Sequence, residues 1–244
     1  MPISSPTRRT LTGALLVLLL VPACSTAEGE DAAPATAPTS DGAPPPTTRA
    51  TPAPGPQPAP EPEPAPPAYV VSDGRPRDAR MSIPRLGIVD LEVRSYEGYT
   101  DDAPGHDLQN TGVAASPHGP RGGTGPGGVG NYQVTGHRTS STRIFEFLPD
   151  LERGDRVLVT AGRTVYVYRV TTTRITSFRS ARSLREQRAA VPGRPGATPT
   201  RAMITISTCR TQEDHAEGNY WSDEFDNPEH RIDKIGVLVR TRAV

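Results

Sequence analysis

The sequence predicts a mainly β domain closed into a barrel, with one or two short helices. It is set behind an export segment and a long proline-rich linker. Two observations predict the barrel. Residues 79–244 fall into seven or eight short apolar runs rich in Val, Ile, Tyr and Thr, and these are separated by Gly, Pro and Asp turn signals. Only two stretches there space their apolar residues at helical intervals. A third observation sets the boundary, because 26–68 is almost bare of large apolar side chains and 14 of the 28 prolines lie between Pro34 and Pro67.

In chain order, Arg8 and Arg9 precede an apolar run from Leu11 to Val21. The run is shorter than the roughly 20 residues that span a bilayer, and fits the apolar part of a secretory signal. It ends Leu20-Val21-Pro22-Ala23-Cys24-Ser25, which resembles a bacterial lipobox and would make Cys24 a lipidation site. An ordinary signal peptide, or an uncleaved anchor with an incidental cysteine, is the other reading. Residues 1–24 are thus assigned to export and 25–78 to a linker. The linker cannot bury enough surface to offset its ordering entropy and is expected to be disordered.

The folded part, 79–244, is long enough for one domain with its own core. Met81–Val93 reads as two short strands split by Pro84 and Gly87, and 96–130 as turn-rich. Tyr132–Thr135 is a short strand, and Ile144–Leu151 has helical spacing. Arg156–Thr160 and Thr164–Thr171 form a hairpin about Ala161-Gly162-Arg163, with Arg174–Ser177 continuing the sheet. Ala181–Ala190 is a short helix, and Ala202–Thr208 and Lys234–Arg240 close the domain.

The chemistry starts from one thiol. The chain has two cysteines, Cys24 and Cys209, too few for a disulfide framework in an exported domain. Cys209 ends the apolar strand Met203–Thr208. It is either a buried cysteine acting as a small hydrophobe or a working nucleophile. His137 follows Gly136 at the end of another short strand, and so stands at a loop mouth. On its own it would be read as a surface histidine. The net charge is zero, so no basic footprint points to nucleic acid.

Together these segments resemble the sortase family. Gly130-Asn131-Tyr132-Gln133-Val134-Thr135-Gly136-His137-Arg138 is similar to its G-N-x-x-x-x-G-H-R segment. Thr205-Ile206-Ser207-Thr208-Cys209 is similar to its T-L-x-T-C segment, with Ile206 in the leucine place. The match runs from about Ser82 to Val239 and looks nearest the actinobacterial class E group, with class F second. The resemblance implies an eight-stranded barrel and a cysteine transpeptidase that needs no metal or cofactor. It implies Cys209 as nucleophile, His137 as general acid and base, and an arginine opening the last strand. Arg231 fits, with Arg210 and Arg138 as alternatives; Thr208, Arg138 and Arg210 are the expected substrate contacts. The partners implied are surface proteins with a C-terminal sorting signal and a peptidoglycan-precursor or pilin amine. The enzyme would sit at the cell surface, held to the membrane by its N-terminus.

Other readings are weighed on the same residues. The S-H-G-C signature of L,D-transpeptidases is absent, and papain-like proteases place Cys before His, the reverse of the order here. A non-catalytic surface lipoprotein that binds peptide or wall polymer remains as the second hypothesis. Between Cys209 and Arg231 lie 21 residues, with seven acidic side chains from Glu213 to Glu229 and no Lys or Arg after Arg210. Arg174 to Arg201 holds seven arginines against Glu186 alone. These two loops are expected to face each other across a peptide groove.

Overall fold

Eight strands hydrogen-bond into a closed barrel in the computed structural model, which describes residues 72–244. The export segment with Cys24, and the linker up to residue 71, lie outside the described residues. The strands are β1 (Ala79–Ile83), β2 (Ile88–Glu97), β3 (Ala114–His118), β4 (Gly130–Thr135), β5 (Arg156–Ala161), β6 (Thr164–Ser177), β7 (Ala202–Cys209) and β8 (His230–Ala243). Around the barrel they run β1-β2-β3-β4-β7-β8-β6-β5. Three helices join them: α1 (Ala103–Asn110), α2 (Ala181–Arg188) and α3 (Thr211–Ala216).

Period-two alternation builds the core. Met81 and Ile83, Tyr132 and Val134, Val157 and Val159, and Ile204 and Ile206 all point inward and are buried. β4 and β7 run parallel, from Gly130 opposite Ala202 to Thr135 opposite Ser207, and are buried on nearly every residue of both faces. The outer face of the pair is polar, carrying Asn131, Gln133, Thr135, Thr205 and Ser207. α2 covers it: Asn131 Nδ2 donates to the Gln187 and Ala189 carbonyls, and Gln187 Nε2 donates to Ser207 Oγ. Buried polar groups need such partners.

The β5–β6 hairpin turns at Gly162 and Arg163, with Gly162 at φ +58°, a left-handed value that glycine adopts without strain. Residues 72–78, which the sequence reading placed in the linker, pack on the β3–β4 connection. There Gly125 N and Thr124 Oγ1 both donate to the Gly74 carbonyl.

Some elements differ from expectation. The turn-rich stretch 96–130 contains α1 and β3. Pro104 lies in the first turn of α1, where a missing N–H costs nothing. Asp102 caps that helix, its Oδ1 accepting from Gly105 N at 3.0 Å. Ile144–Leu151, expected as a brief helix or helical turn, does form a 3-10 turn at Leu148–Asp150, kept short because Pro149 removes a backbone donor. β8 starts at His230, four residues before Lys234, and pairs with β6 over its whole length.

Lys234, the single lysine of the chain, is buried on β8. Its ammonium donates to the Pro149 and Leu151 carbonyls at 2.8 and 2.7 Å and to Thr173 Oγ1 at 3.1 Å. Burial holds its pKa below the usual lysine range.

Phe145 joins core to loop: its ring is fully buried and its N–H donates to the His137 carbonyl at 3.0 Å. Phe145→Ala should lower unfolding stability in urea by about 3–5 kcal/mol, as a cavity at a large buried aromatic does. A loss under about 1 kcal/mol would mean that the site collapses freely.

Candidate active site

Strand register brings three of the sequence-predicted residues to one end of the barrel. Thr135 of β4 lies opposite Ser207 of β7. Two residues on, the same register carries the chain to His137 and to Cys209. Across the next ladder Cys209 is paired directly with Arg231 of β8. Cys209, His137 and Arg231 therefore top three adjacent strands. Cys209 is 9% exposed, His137 4% and Arg231 1%.

Arg231 is a buried cation, so its partners decide its role. Nε donates to Asp101 Oδ2 at 3.2 Å, and Nη1 to the Pro228 carbonyl at 3.0 Å. The guanidinium carbon lies 4.4 Å from the centre of the Phe178 ring. Nη2 is buried with no hydrogen-bond partner. Burial opposes the charge, but Asp101 and Cys209 outweigh it and hold the pKa above the usual arginine range. Asp101 itself has φ +62°, a conformation rare for a non-glycine residue.

His137 is oriented by α1. Its Nε2 lies 2.9 Å from Asn110 Oδ1. The amide oxygen is an acceptor, so Nε2 carries the proton and Nδ1 is left as the basic nitrogen. His106 meets the His137 ring edge-on at 5.3 Å and stacks on Phe225 at 5.0 Å. Burial, then His106, pushes the His137 pKa down, with Asp101 opposing.

The thiol lies under the acidic loop. Asn227 Oδ1 is 3.8 Å from Cys209 Sγ. Asp223 holds that asparagine from two sides, its Oδ1 accepting from Asn227 N at 2.9 Å and its Oδ2 from Asn227 Nδ2 at 3.1 Å. Burial pushes the Cys209 pKa up, and Arg231 pulls against it. Imidazole down and thiol up leaves both groups mainly neutral at pH 7.

The other predicted residues have different surroundings. Thr208 Oγ1 donates to the Gly136 carbonyl at 2.7 Å, locking β7 to the loop before His137. Arg138 grips Glu213 of α3 with both Nη atoms, at 2.5 and 2.9 Å, and also donates to the Cys209 carbonyl at 3.3 Å. Such a bidentate fork fixes geometry, so its donors are spent on positioning the end of β7. Arg210 pairs with Asp214 and Glu217 of the acidic loop. The arginine-rich and acidic loops meet mainly at Glu229, which accepts from Ser177 Oγ at 2.8 Å and lies 3.6 Å from Arg179. Asp214, Glu217 and Asp223 instead fold their own loop. Asp214 accepts from Arg210 Nη1 and from His230 N.

The floor below the three residues is polar. Asp233, two residues past Arg231 on β8, is buried and accepts from Ser207 Oγ at 2.6 Å, Gln187 Nε2 at 2.9 Å and Thr176 Oγ1 at 2.5 Å. Burial holds its pKa above the usual carboxylate range. Among the described residues, no group of three or more His, Cys, Asp or Glu side chains is arranged to hold a metal ion.

Sequence reasoning missed Asp101, Asn110, His106 and Asn227. The first three lie on or beside α1, which was hidden among turn signals. Asn227 lies in the acidic loop, where charge drew the attention.

A family model described as a sortase domain matches residues 81–221. No curated protein matches the chain. Among solved structures, the SrtA sortase from Actinomyces oris is 20% identical with a TM-score of 0.53, over 73% of this chain and 89% of that one. Sortase E from Streptomyces avermitilis is 24% identical with a TM-score of 0.50, over 70% and 92%. Sortase E1 from Streptomyces coelicolor, solved with a tripeptide in its active site, is 20% identical with a TM-score of 0.51, over 71% and 93%.

Two measurements test this geometry. Asp101→Ala leaves Arg231 buried and unpaired and should cost about 3–5 kcal/mol of unfolding stability, with Asp101→Asn, which keeps an acceptor, costing less. Equal small losses would show that Arg231 needs no counter-charge. Alkylation of Cys209 by iodoacetamide, followed by peptide mass spectrometry to separate it from Cys24, should be slow at pH 7. Only the thiolate reacts and burial disfavours it, so the rate should climb into the alkaline range, with a midpoint above that of free cysteine. A plateau already reached at pH 7 would contradict the buried, neutral thiol.

Proposed function

The chain belongs to the sortase family, and from that premise we propose that it is an extracytoplasmic cysteine transpeptidase with Cys209, His137 and Arg231 as its catalytic residues. The observation that carries the assignment is the alignment of these three on the ends of β4, β7 and β8, with Cys209 directly opposite Arg231. Export fits the apolar run at 11–21, with Cys24 as the lipidated anchor and 25–78 as a tether; the membrane attachment rests on sequence. Within the family, the Gly130–Arg138 and Thr205–Cys209 segments support a class E-like assignment ahead of class F.

The chemistry runs in two half-reactions. Proton transfer from the thiol to His137 gives a thiolate and an imidazolium. The thiolate attacks the threonine carbonyl carbon of an LPxTG- or LAxTG-like sorting motif. Charge develops on the carbonyl oxygen, and the Arg231 Nη2 group, which has no protein partner, supplies donors for it. The tetrahedral adduct collapses, the C–N bond breaks, and His137 protonates the leaving amine. A thioester remains on Cys209. An acceptor amine, from a peptidoglycan precursor or a pilin, then gives its proton to His137 and attacks the thioester. A new amide forms and the thiolate leaves. Arg138 and Thr208 hold the end of β7 in register during both attacks. Arg210 stiffens the acidic loop that carries Asn227.

A second reading is a non-catalytic surface protein that binds peptide or wall polymer with the same barrel. What favours it is the closed site, in which the thiol lies beneath Asn227 and Asp101 already occupies Arg231.

A fluorogenic sorting peptide separates the two. Wild type should cleave it and accumulate a thioacyl adduct on Cys209 visible by intact mass, and Cys209→Ala should abolish both. Wild type that is silent against every Pro and Ala variant of the motif would favour the binding reading.

A further inference from the structure

Asn227 is fixed at the thiol by its own loop. Ser222 bridges Pro228 antiparallel, and Asp223 N donates to the Asn227 carbonyl at 2.9 Å. Asp223 Oδ1 accepts from Phe225 N and from Asn227 N, both at 2.9 Å, and its Oδ2 accepts from Asn227 Nδ2 at 3.1 Å. Arg231 Nη1 pins the base of the loop through the Pro228 carbonyl at 3.0 Å. Phe225, stacked on His106 at 5.0 Å, pins the tip against α1. Asn227 and Cys209 are both buried.

These bonds decide which amide atom faces the sulfur. A carboxylate only accepts, so the atom bonded to Asp223 Oδ2 is the amide nitrogen, and the atom 3.8 Å from Cys209 Sγ is the oxygen. In the resting site the thiol S–H donates to that oxygen. Once Cys209 is acylated the sulfur carries no hydrogen, and a buried oxygen at the reacting centre has lost its donor, which is costly. A nitrogen attacking the thioester becomes bonded to the same carbon as Sγ. An oxygen 3.8 Å from Sγ is therefore placed to accept from that nitrogen.

We propose that Asn227 orients the acceptor amine and selects primary amines over secondary ones; this rests on the transpeptidase reading above. A primary amine carries two hydrogens. Its lone pair forms the new C–N bond, and the C–S bond breaks with its electrons passing to Sγ. One hydrogen leaves as a proton to His137. The other stays on nitrogen as the N–H of the new amide, and Asn227 Oδ1 accepts it during the attack, which fixes the approach of the nitrogen. A secondary amine gives its one hydrogen to His137 and turns an alkyl group toward Asn227, leaving a buried oxygen unpaired. Water also offers two hydrogens, so the selection is among amines.

The full chain, acylated on Cys209 by a sorting peptide, is offered glycinamide or N-methylglycinamide at matched free-base concentration, and the products are measured by mass spectrometry. Wild type should prefer the primary amine about tenfold or more beyond the preference of a model thioester in solution. Asn227→Leu should lose that excess. The Asp223→Asn, Asn227→Asp double variant exchanges donor and acceptor within the pair and keeps an oxygen at the sulfur, now charged. It should keep the preference, with its aminolysis optimum moved to higher pH. A preference unchanged in Asn227→Leu, or lost in the double variant, would overturn the proposal. Alkylation of Cys209 by iodoacetamide gives a readout without substrate. Arg231 and Arg138 favour the thiolate and Asp101 and Asp223 oppose it, while His137 is neutral across the alkaline range. The alkylation midpoint should fall in Asn227→Leu, which removes the acceptor of the S–H, and rise in the double variant, which brings negative charge nearer the sulfur. Midpoints unmoved in both would show that no amide oxygen faces the thiol. Wild type that forms no thioacyl adduct defeats the transpeptidase reading; an adduct that forms without amine preference defeats this inference alone.

Discussion

A guanidinium shut away from water has to be neutralised by the fold around it, and Arg231 sets that condition for this barrel. Its ion pair with Asp101 joins the start of β8 to the turn after β2. That turn places Asp102 as the cap of α1. At its far end α1 presents Asn110, which fixes the imidazole of His137 at the mouth of β4. One buried charge on one strand thus bears on the orientation of an imidazole two strands away. The energetic leverage is large, because leaving a buried partner unpaired costs several times more than an exposed pair contributes.

The acidic loop has a related structural logic. Its length displaces Arg231 from Cys209 in sequence but not in space, since the two are cross-strand neighbours. The loop's carboxylates are mostly consumed internally or by Arg138 and Arg210. The result is a folded cover rather than a charged arm, and Asn227 and Phe225 reach the thiol and His106 from it. Opposite charge in two stretches was therefore a poor guide to their pairing. Carboxylates within a few residues of an arginine were satisfied locally first.

Much of the barrel was legible in the residues. Period-two alternation and the Gly162 turn marked the β5–β6 hairpin, and the apolar strand ending in Cys209 was plain. The parallel pairing of β4 with β7 was not, because a one-dimensional pattern does not state which strands are neighbours. α1 was lost inside the stretch 96–130 that read as turn-rich, although its Pro104 sits where a helix tolerates proline. Asp101 and Asn110 were lost with it. A buried acid is recognisable only once its buried cation has been placed. Arg138 and Arg210 showed the reverse limit: a sequence gives an arginine's position but not whether its donors are already taken.

One detail of the core bears on what such a site can do to itself. A thioester is open to any amine that reaches it, including those of the protein that carries it. The only lysine here is Lys234, and its ammonium is fastened inside the barrel wall by two carbonyls and a hydroxyl. Every other basic side chain except histidine is a guanidinium, which stays protonated and makes a poor nucleophile. An acyl group on Cys209 would therefore find no lysine on the protein's own surface to capture it, and self-modification through side-chain amines would be closed off by composition.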